Sequence, residues 1–212
     1  MTTSPGLRER KKQATRQALR EAALRLALER GPDQVRVEDI AEAAGVSPRT
    51  YNNYFASREQ AIVAAVTADR EARVAAAVAA RSADVRLADA VAEAVVEQYA
   101  NTGEGQHEAL LLITTRTALR DAFLGAAADV EPALAPAIAE RLADTGSHAA
   151  RVLAASVAAA VRIALEDWLQ QAGNAGDSGA GLVVPSGSLA DRIRAALAPL
   201  APAFDAAEGP AS

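Results

Sequence analysis

A four-residue corner, Gly-Val-Ser-Pro at residues 45–48, constrains the fold of this chain more than any other feature. Glycine can end a helix in the left-handed conformation without a side-chain clash. Serine caps a new helix, and proline suits its first position because the missing N–H has no partner there. Before the corner, apolar residues recur at helical spacing, at Val37, Ile40, Ala41 and Ala44. The sequence therefore predicts two helices joined by a tight turn.

The predicted second helix, residues 48–55, has two different faces. Tyr51 and Phe55 lie four residues apart, so we expect them to pack against the preceding helices. The opposite face carries Pro48, Arg49, Asn52 and Asn53. Arginine and asparagine near a helix N-terminus suit the major groove, where they pair with guanine and adenine respectively. This pattern indicates a helix-turn-helix that binds DNA.

A third helix is predicted to start directly after this one. Ser57 and Gln60 have the spacing of a capping box. Three of the seven aromatic residues of the chain lie between positions 51 and 55. They are expected in the core of a three-helix unit, although Tyr54 fits either the core or a contact to a DNA phosphate.

Charge is unevenly distributed along the chain. Residues 1–60 carry 11 basic and 8 acidic side chains, whereas residues 61–212 carry 11 basic and 19 acidic ones. The first twenty residues contain six basic side chains and one acidic one, Glu9. A basic end on an acidic body is typical of a protein that presents one end to nucleic acid.

Together these residues resemble the DNA-binding domain of the tetracycline-repressor (TetR) family. The resemblance rests on Leu-Ala-Leu-Glu-Arg-Gly at 26–31, Val-Glu-Asp-Ile-Ala at 37–41, Ala-Gly-Val-Ser at 44–47 and Tyr-Phe-Ala-Ser-Arg-Glu at 54–59. It implies base contacts by Pro48, Arg49 and Asn52. The phosphate contacts that we assign with it are Lys11, Lys12, Arg36, Thr50, Asn53, Tyr54 and Arg58.

The chain also departs from the family pattern. Aromatic residues are usual where Ala27 and Pro32 stand, and we expect Leu28 to fill the first gap. A serine or threonine usually caps the second helix, whereas this chain has Arg36, which cannot accept a hydrogen bond. Asn52 stands where a tyrosine is usual, so the operator sequence cannot be borrowed from relatives.

Composition excludes several other classes of protein. The chain has no cysteine, and His107 and His148 are isolated, so neither a metal site nor a cofactor is expected. Without a nucleophile paired to a base or a phosphate-binding glycine loop, we do not expect an enzyme. No signal peptide is apparent, and the apolar run Val152–Val161 is too short to span a bilayer, which predicts a cytoplasmic protein.

The rest of the chain is also rich in helix-forming residues, so an all-α fold is predicted. We expect a DNA-binding domain at 1–57, an effector-binding and dimerisation domain at 58–202 and a disordered tail at 203–212. The helices are predicted at 58–81, 84–101, 105–119, 121–144, 147–172 and 188–200, with a loop over 173–187. Pro132 and Pro136 should kink or interrupt the fourth of these.

The predicted helix at 147–172 carries many small side chains and is apolar over most of its surface, which favours close packing with another helix. With 188–200 it can form half of a four-helix bundle across a two-fold axis. TetR-family proteins dimerise in this way, so the resemblance implies a homodimer and a palindromic operator. The expected interface residues are Ala155, Ala158, Ala159, Arg162, Ile193 and Leu197.

The middle helices, 84–144, are expected to enclose a small, mainly apolar effector. Candidate contacts are Tyr99, Thr114, Thr115, Arg120 and Trp168. The spacing in this half resembles TetR members whose C-terminal domain recognises acyl-CoA-like or other bulky apolar compounds. A repressor released by its effector is the favoured function. An activator of the same fold, or a helix-turn-helix that only binds proteins, remain alternatives.

Overall fold

The computed structural model describes residues 6–68, 70–100, 109, 112–127, 130–143, 148–177 and 188–209. These residues form α-helices and turns, with 3-10 helices at Pro32–Gln34 and Ala198–Leu200 and no strand, so the predicted all-α fold is confirmed. The α-helices are α1 (Leu7–Arg30), α2 (Val37–Ala43), α3 (Pro48–Tyr51), α4 (Arg58–Thr67), α5 (Arg70–Ala80), α6 (Leu87–Ala100), α7 (Thr117–Ala126), α8 (Val130–Arg141), α9 (His148–Asp177), α10 (Leu189–Leu197) and α11 (Ala201–Glu208).

The first compact unit comprises the chain up to Ala68 together with Glu104–Phe123. Within it, α1 packs against α4 and also contacts α2, which in turn contacts α3. Its buried apolar residues include Leu19, Ala23, Leu26, Ile40, Tyr51, Phe55 and Ile62. The unit extends past the predicted boundary at residue 57 because α4 packs on α1.

The second unit comprises Asp69–Gly103 and Leu124–Ser212. In this unit α5 contacts α6 and α8, α9 contacts α8 and α10, and α6 contacts α10 and α11. The buried residues of α9 recur every three or four positions, as a helix packed on one side requires. They include Leu153, Ala154, Val157, Val161, Leu165 and Leu169.

Several predicted helices differ from the observed ones. The helix predicted at 58–81 is divided, because Ala68 has φ −49° and ψ 130° and so leaves the helical conformation. The helix predicted at 105–119 is interrupted at Arg116, which is not helical, and α7 starts at Thr117. Positions 105–108, 110 and 111 of that helix lie outside the described residues. Of the loop predicted at 173–187, the first residues belong to α9, and 178–187 lie outside the described residues.

Proline does not interrupt α8. Pro136 lies inside this helix, and Pro132 occupies its first turn, where a missing N–H carries no cost. The two prolines therefore do not interrupt the helix, and the kink expected as the other outcome stays a prediction. Proline in the interior still removes one backbone hydrogen bond, so burial of Leu134, Ala137 and Ile138 must supply the stability of this helix.

The tail predicted to be disordered from residue 203 is ordered as far as Gly209. Helix α11 buries Phe204, which is 2% exposed. Asp205 accepts two hydrogen bonds of 2.8 Å from Arg86, and the Glu208 carboxylate accepts one of 3.1 Å from the N–H of Leu87. Helix α11 thus packs over the first turn of α6, whose N–H groups lack partners within the helix. Residues 210–212 lie outside the described residues.

By length and composition alone, two helical stretches could cross a membrane. The clearer one is His148–Gln171 within α9, and half of its most apolar window is buried inside the protein. The other is Thr117–Arg141. A core helix of a helical bundle has the same composition, and α9 packs against α8 and α10.

Candidate DNA-binding surface

The turn between α2 and α3 has the predicted geometry. Gly45 adopts φ +70°, in the left-handed region where a side chain would be strained. The N–H of Gly45 donates to the carbonyl of Glu42 at 3.0 Å, and that of Val46 donates to Ala41 at 2.9 Å. These two bonds satisfy carbonyl groups that the end of α2 leaves open, so the chain can reverse within three residues.

The two helices of the motif begin differently. At α2 the Asp39 carboxylate accepts from the N–H of Arg36 at 3.1 Å, which is one half of a capping box, and the Arg36 side chain cannot supply the other half. The Ser47 hydroxyl accepts from the N–H of Thr50 at 3.1 Å and lies 2.9 Å from the Thr50 hydroxyl. Ser47 is therefore the N-cap of α3, as predicted.

Helix α3 is shorter than predicted. It covers Pro48–Tyr51 and continues as turns through Tyr54. The predicted division into two faces is confirmed. Tyr51 and Phe55 are 0% and 4% exposed, with their ring centroids 5.8 Å apart. The other face is exposed and carries Pro48, Arg49, Asn52 and Asn53.

Tyr51 fixes the junction between α3 and α4. Its hydroxyl donates to the carbonyl of Ser57 at 2.8 Å. Burial, with a smaller effect of the Glu59 carboxylate, raises the pKa of Tyr51 to about 12, so the phenol keeps the proton that it donates. Ser57 in turn caps α4 by accepting from the N–H of Gln60 at 3.2 Å. The Gln60 side chain accepts from Ala56 rather than from Ser57, so the predicted capping box is shifted by one residue.

The predicted phosphate contacts differ in availability. Lys11, Lys12 and Arg36 are exposed, and their side chains make no ion pair with the described residues. Thr50 and Tyr54 are half-buried beside the exposed face of α3. The phosphate roles of these five residues therefore stay a prediction.

Arg58 is engaged inside the protein. Its Nη1 donates to the carbonyl groups of Asp33 and Val35 at 3.1 and 2.9 Å, and its Nε donates to Glu59 at 2.7 Å. Burial alone would raise the pKa of Glu59, but hydrogen bonds, including that from Arg58, hold it below its usual value. Arg58 thus braces the start of α4 against the segment before α2, a role that its sequence context did not indicate.

The five candidate effector contacts do not fall within one compact unit. Thr114, Thr115 and Arg120 belong to the first unit, where Arg120 donates to the carbonyl of Thr114 at 2.8 Å and the Thr115 hydroxyl donates to that of Leu112. Tyr99 and Trp168 belong to the second. Tyr99 is buried beneath the guanidinium of Arg70, 4.2 Å from its ring centroid. Burial raises the pKa of Tyr99 despite this cation.

Half of the predicted dimer contacts are used inside the subunit. Ile193, Leu197 and Ala158 are at most 6% exposed, because α10 packs on α6 and α9. These three residues pack within the subunit, and a role for them at a dimer interface stays a prediction. Ala155, Ala159 and Arg162 are at least partly exposed. Val152 and Ile163, which the sequence did not single out for this surface, are 61% and 48% exposed and align with Ala155 and Ala159 at helical spacing.

Comparison with known proteins agrees with this geometry. Residues 19–65 match the family described as bacterial regulatory proteins, tetR family. The HTH-type transcriptional regulator TcmR of Streptomyces glaucescens is 46% identical over 72 residues, which are 34% of this chain and 32% of that protein. The match thus spans about a third of the length of this curated relative.

Two solved structures are similar at low sequence identity. A TetR-family transcriptional regulator from Rhodococcus sp. has a TM-score of 0.48 at 21% identity and covers 91% of this chain and 100% of its own. The multidrug binding protein EbrR, solved with imidazole, has a TM-score of 0.45 at 21% identity, with coverages of 87% and 93%. The family match at residues 19–65 and the capped turn within it lead to one conclusion: this segment is similar to the helix-turn-helix region of the tetR family of bacterial regulatory proteins.

Proposed function

We propose that this protein is a cytoplasmic, homodimeric transcriptional repressor that binds a palindromic operator and is released by a small apolar effector. The observation that carries the proposal is the division of α3 into two faces. Tyr51 and Phe55 hold one face in the core, which leaves Arg49 and Asn52 exposed on the other. A short helix anchored in this way presents its polar side chains to base edges without having to refold.

Titration of labelled DNA tests sequence-specific binding. The probe is a duplex from the region upstream of the gene, compared with a shuffled duplex of the same length at several salt concentrations. Asn52→Ala is expected to weaken binding to the preferred sequence by about 1–3 kcal/mol and to relax one base position. Gln170→Ala, which removes an exposed amide from α9, serves as the control. Equal weakening of Asn52→Ala on every duplex would contradict base recognition.

The dimer proposal rests on the exposed stripe of α9 formed by Val152, Ala155, Ala159 and Ile163, named the α9 stripe from here on. Small residues allow close approach of a second helix, and the two large apolar residues gain most from being covered. Ile163→Asp is expected to give monomers in sedimentation velocity, whereas Val85→Asp, at another exposed apolar position of the second unit, leaves the dimer intact. A monomeric wild-type protein would contradict the proposal.

The response to effector requires a physical connection to the DNA-binding helices. Thr114 and Thr115 precede Arg116, whose guanidinium Nε lies 3.2 Å from the Asp33 carboxylate. Asp33 precedes α2, and its carbonyl is also held by Arg58 at the start of α4. Displacement of residues 112–116 by a bound effector therefore acts on the segment before α2 and on the start of α4. By linkage, the effector weakens DNA binding by the same factor as DNA weakens effector binding, typically about 1–3 kcal/mol.

Two alternatives give different results in the same titration. An activator binds the same operator, and a reporter gene then loses rather than gains expression when the protein is deleted. A helix-turn-helix that binds only proteins shows no preference between the upstream and the shuffled duplex. The exposed, unpaired Arg49 favours a nucleic-acid ligand over that second alternative.

A further inference from the structure

An arginine of α1 is held against the helix-turn-helix by an aromatic ring. The guanidinium carbon of Arg16 lies 5.4 Å from the ring centroid of Phe55, within the range of a cation–π contact of about 6 Å. Phe55 is itself buried and packs against Tyr51, so its ring cannot move freely. Arg16 is exposed. Its cation is therefore fixed at one edge of the motif while still facing solvent.

Arg16 lies in a basic row along α1. Arg8, Lys12, Arg16 and Arg20 are spaced four residues apart and so follow one another along the helix surface. Arg8, Lys12 and Arg16 are exposed, and within the described part of the chain their side chains form no hydrogen bond or ion pair. Arg25, further along the same helix, is paired with Glu29 at 3.3 Å. Arg8, Lys12 and Arg16 thus differ from Arg25 in having no ion-pair partner among the described residues.

We propose that Arg16 binds a DNA phosphate, that Phe55 positions it, and that Lys12 and Arg8 continue the contact along the same strand. This inference rests on the proposed function. An arginine stacked on a ring through its flat face keeps its edge N–H groups free, and these match phosphate oxygens in a two-point contact. The stacking also removes part of the side-chain freedom that an unrestrained arginine loses on binding. The cation at this site is therefore prepared for its ligand before DNA arrives.

The salt dependence of binding provides the test. Binding to the labelled upstream duplex is measured between 50 and 200 mM salt for wild type, Arg16→Ala, Arg16→Lys and the control Arg25→Ala. Losing one phosphate contact lowers the slope of log K against log salt by about 0.9. For Arg16→Ala the loss of affinity across this range of salt should therefore be smaller than in wild type by about 3.5-fold. Arg16→Lys should keep the wild-type slope but bind more weakly at each salt concentration.

The role of Phe55 requires a second comparison. Phe55→Leu keeps an apolar residue but removes the ring beneath the guanidinium, and circular dichroism checks that the helices remain. If Phe55 acts through Arg16, the double variant with Arg16→Ala binds no more weakly than Arg16→Ala alone. Additive losses would overturn the positioning role. If Phe55→Leu does not fold, Arg16→Lys decides the same question, since a gain or no change in affinity would contradict a positioned guanidinium.

Failure of this inference differs from failure of the proposed function. If wild type binds no duplex in a salt-dependent way, the DNA-binding function itself fails. If wild type binds with a steep slope that Arg16→Ala leaves unchanged, only the assignment of Arg16 is overturned. A slope lowered equally by Arg25→Ala would also overturn it, because any positive charge on α1 would then have the same effect.

Discussion

The two compact units use their basic side chains differently. In the second unit, several arginines are bound within the fold: Arg81 to Glu97, Arg86 to Asp205, Arg194 to Glu93, and Arg141 to two backbone carbonyl groups. In the first unit, Arg8, Lys12, Arg16 and Arg49 are exposed and have no ion pair with the described residues.

The difference separates folding from recognition. Exposed ion pairs contribute about 0–1 kcal/mol each, so the paired arginines of the second unit mainly fix the register of its helices. A cation left without a partner contributes little to the fold but is available to an external anion such as a DNA phosphate. Most of the cations without an ion pair among the described residues lie in the first unit, which supports the proposed DNA-binding surface there.

The largest expected effect concerns the second unit alone. Phe204→Ala should lower the free energy of unfolding by about 3–5 kcal/mol, because it empties a buried site under α11. Chemical denaturation measures this loss. DNA affinity, measured at a concentration where the variant is folded and dimeric, should not change. A loss of less than about 1 kcal/mol in the free energy of unfolding would mean that Phe204 of α11 is not part of the core.

The next effect tests the unpaired cations. Arg49→Ala should weaken binding to the upstream duplex by about 1–3 kcal/mol without changing the melting temperature, because its side chain is exposed and forms no ion pair with the described residues. The matched control is Arg194→Ala, which removes a paired arginine from α10. If the control weakens DNA binding equally, the contrast between the units does not hold.

A smaller effect is expected from the phenol that joins α3 to α4. Tyr51→Phe removes the hydrogen bond to Ser57 and should cost about 1 kcal/mol of stability at neutral pH. The folded pKa of Tyr51 is raised from 10.0 to about 12, so this stabilising contribution is complete below pH 10 and is lost between about pH 10 and 12. Wild type should therefore lose stability over that interval faster than Tyr51→Phe. Parallel pH profiles of the two proteins would contradict the assignment.

The smallest effect is expected at the ion pair between Arg116 and Asp33. Both side chains are more than half exposed, so Arg116→Ala should change stability by no more than about 1 kcal/mol, and less at high salt. Its effect on regulation should be clearer. An effector that releases DNA from wild type should release it less completely from this variant, measured by DNA titration with and without effector. Unchanged release would show that the ion pair between Arg116 and Asp33 does not connect the effector to the DNA-binding helices.

Local features of the motif could be predicted from sequence because they depend on residues close together in the chain. The glycine corner, the Ser47 cap and the inward direction of Tyr51 each follow from conformational preference or spacing over three to four residues. The interruption at Ala68 could not be predicted, since alanine favours helix and neither glycine nor proline marks the position.

Contacts between distant residues were also beyond prediction. The engagement of Arg58 by carbonyl groups more than twenty residues away, and the burial of Phe204 beside α6, depend on tertiary packing. Ile193 and Leu197 illustrate the same limit. An apolar helix face must be covered, but sequence does not tell whether its own subunit or a partner covers it. Exposure in the folded subunit separates the two cases: Ile193 and Leu197 are buried by their own subunit, whereas the α9 stripe is left exposed.

The brevity of α3 has an evolutionary consequence. Its conformation is fixed by the Ser47 cap and by two buried rings, whereas Arg49, Asn52 and Asn53 project away from everything that stabilises it. Mutations at these three positions are therefore almost free of any stability penalty. If this face reads base edges as proposed, a few such changes can exchange one DNA target for another while the scaffold beneath stays the same.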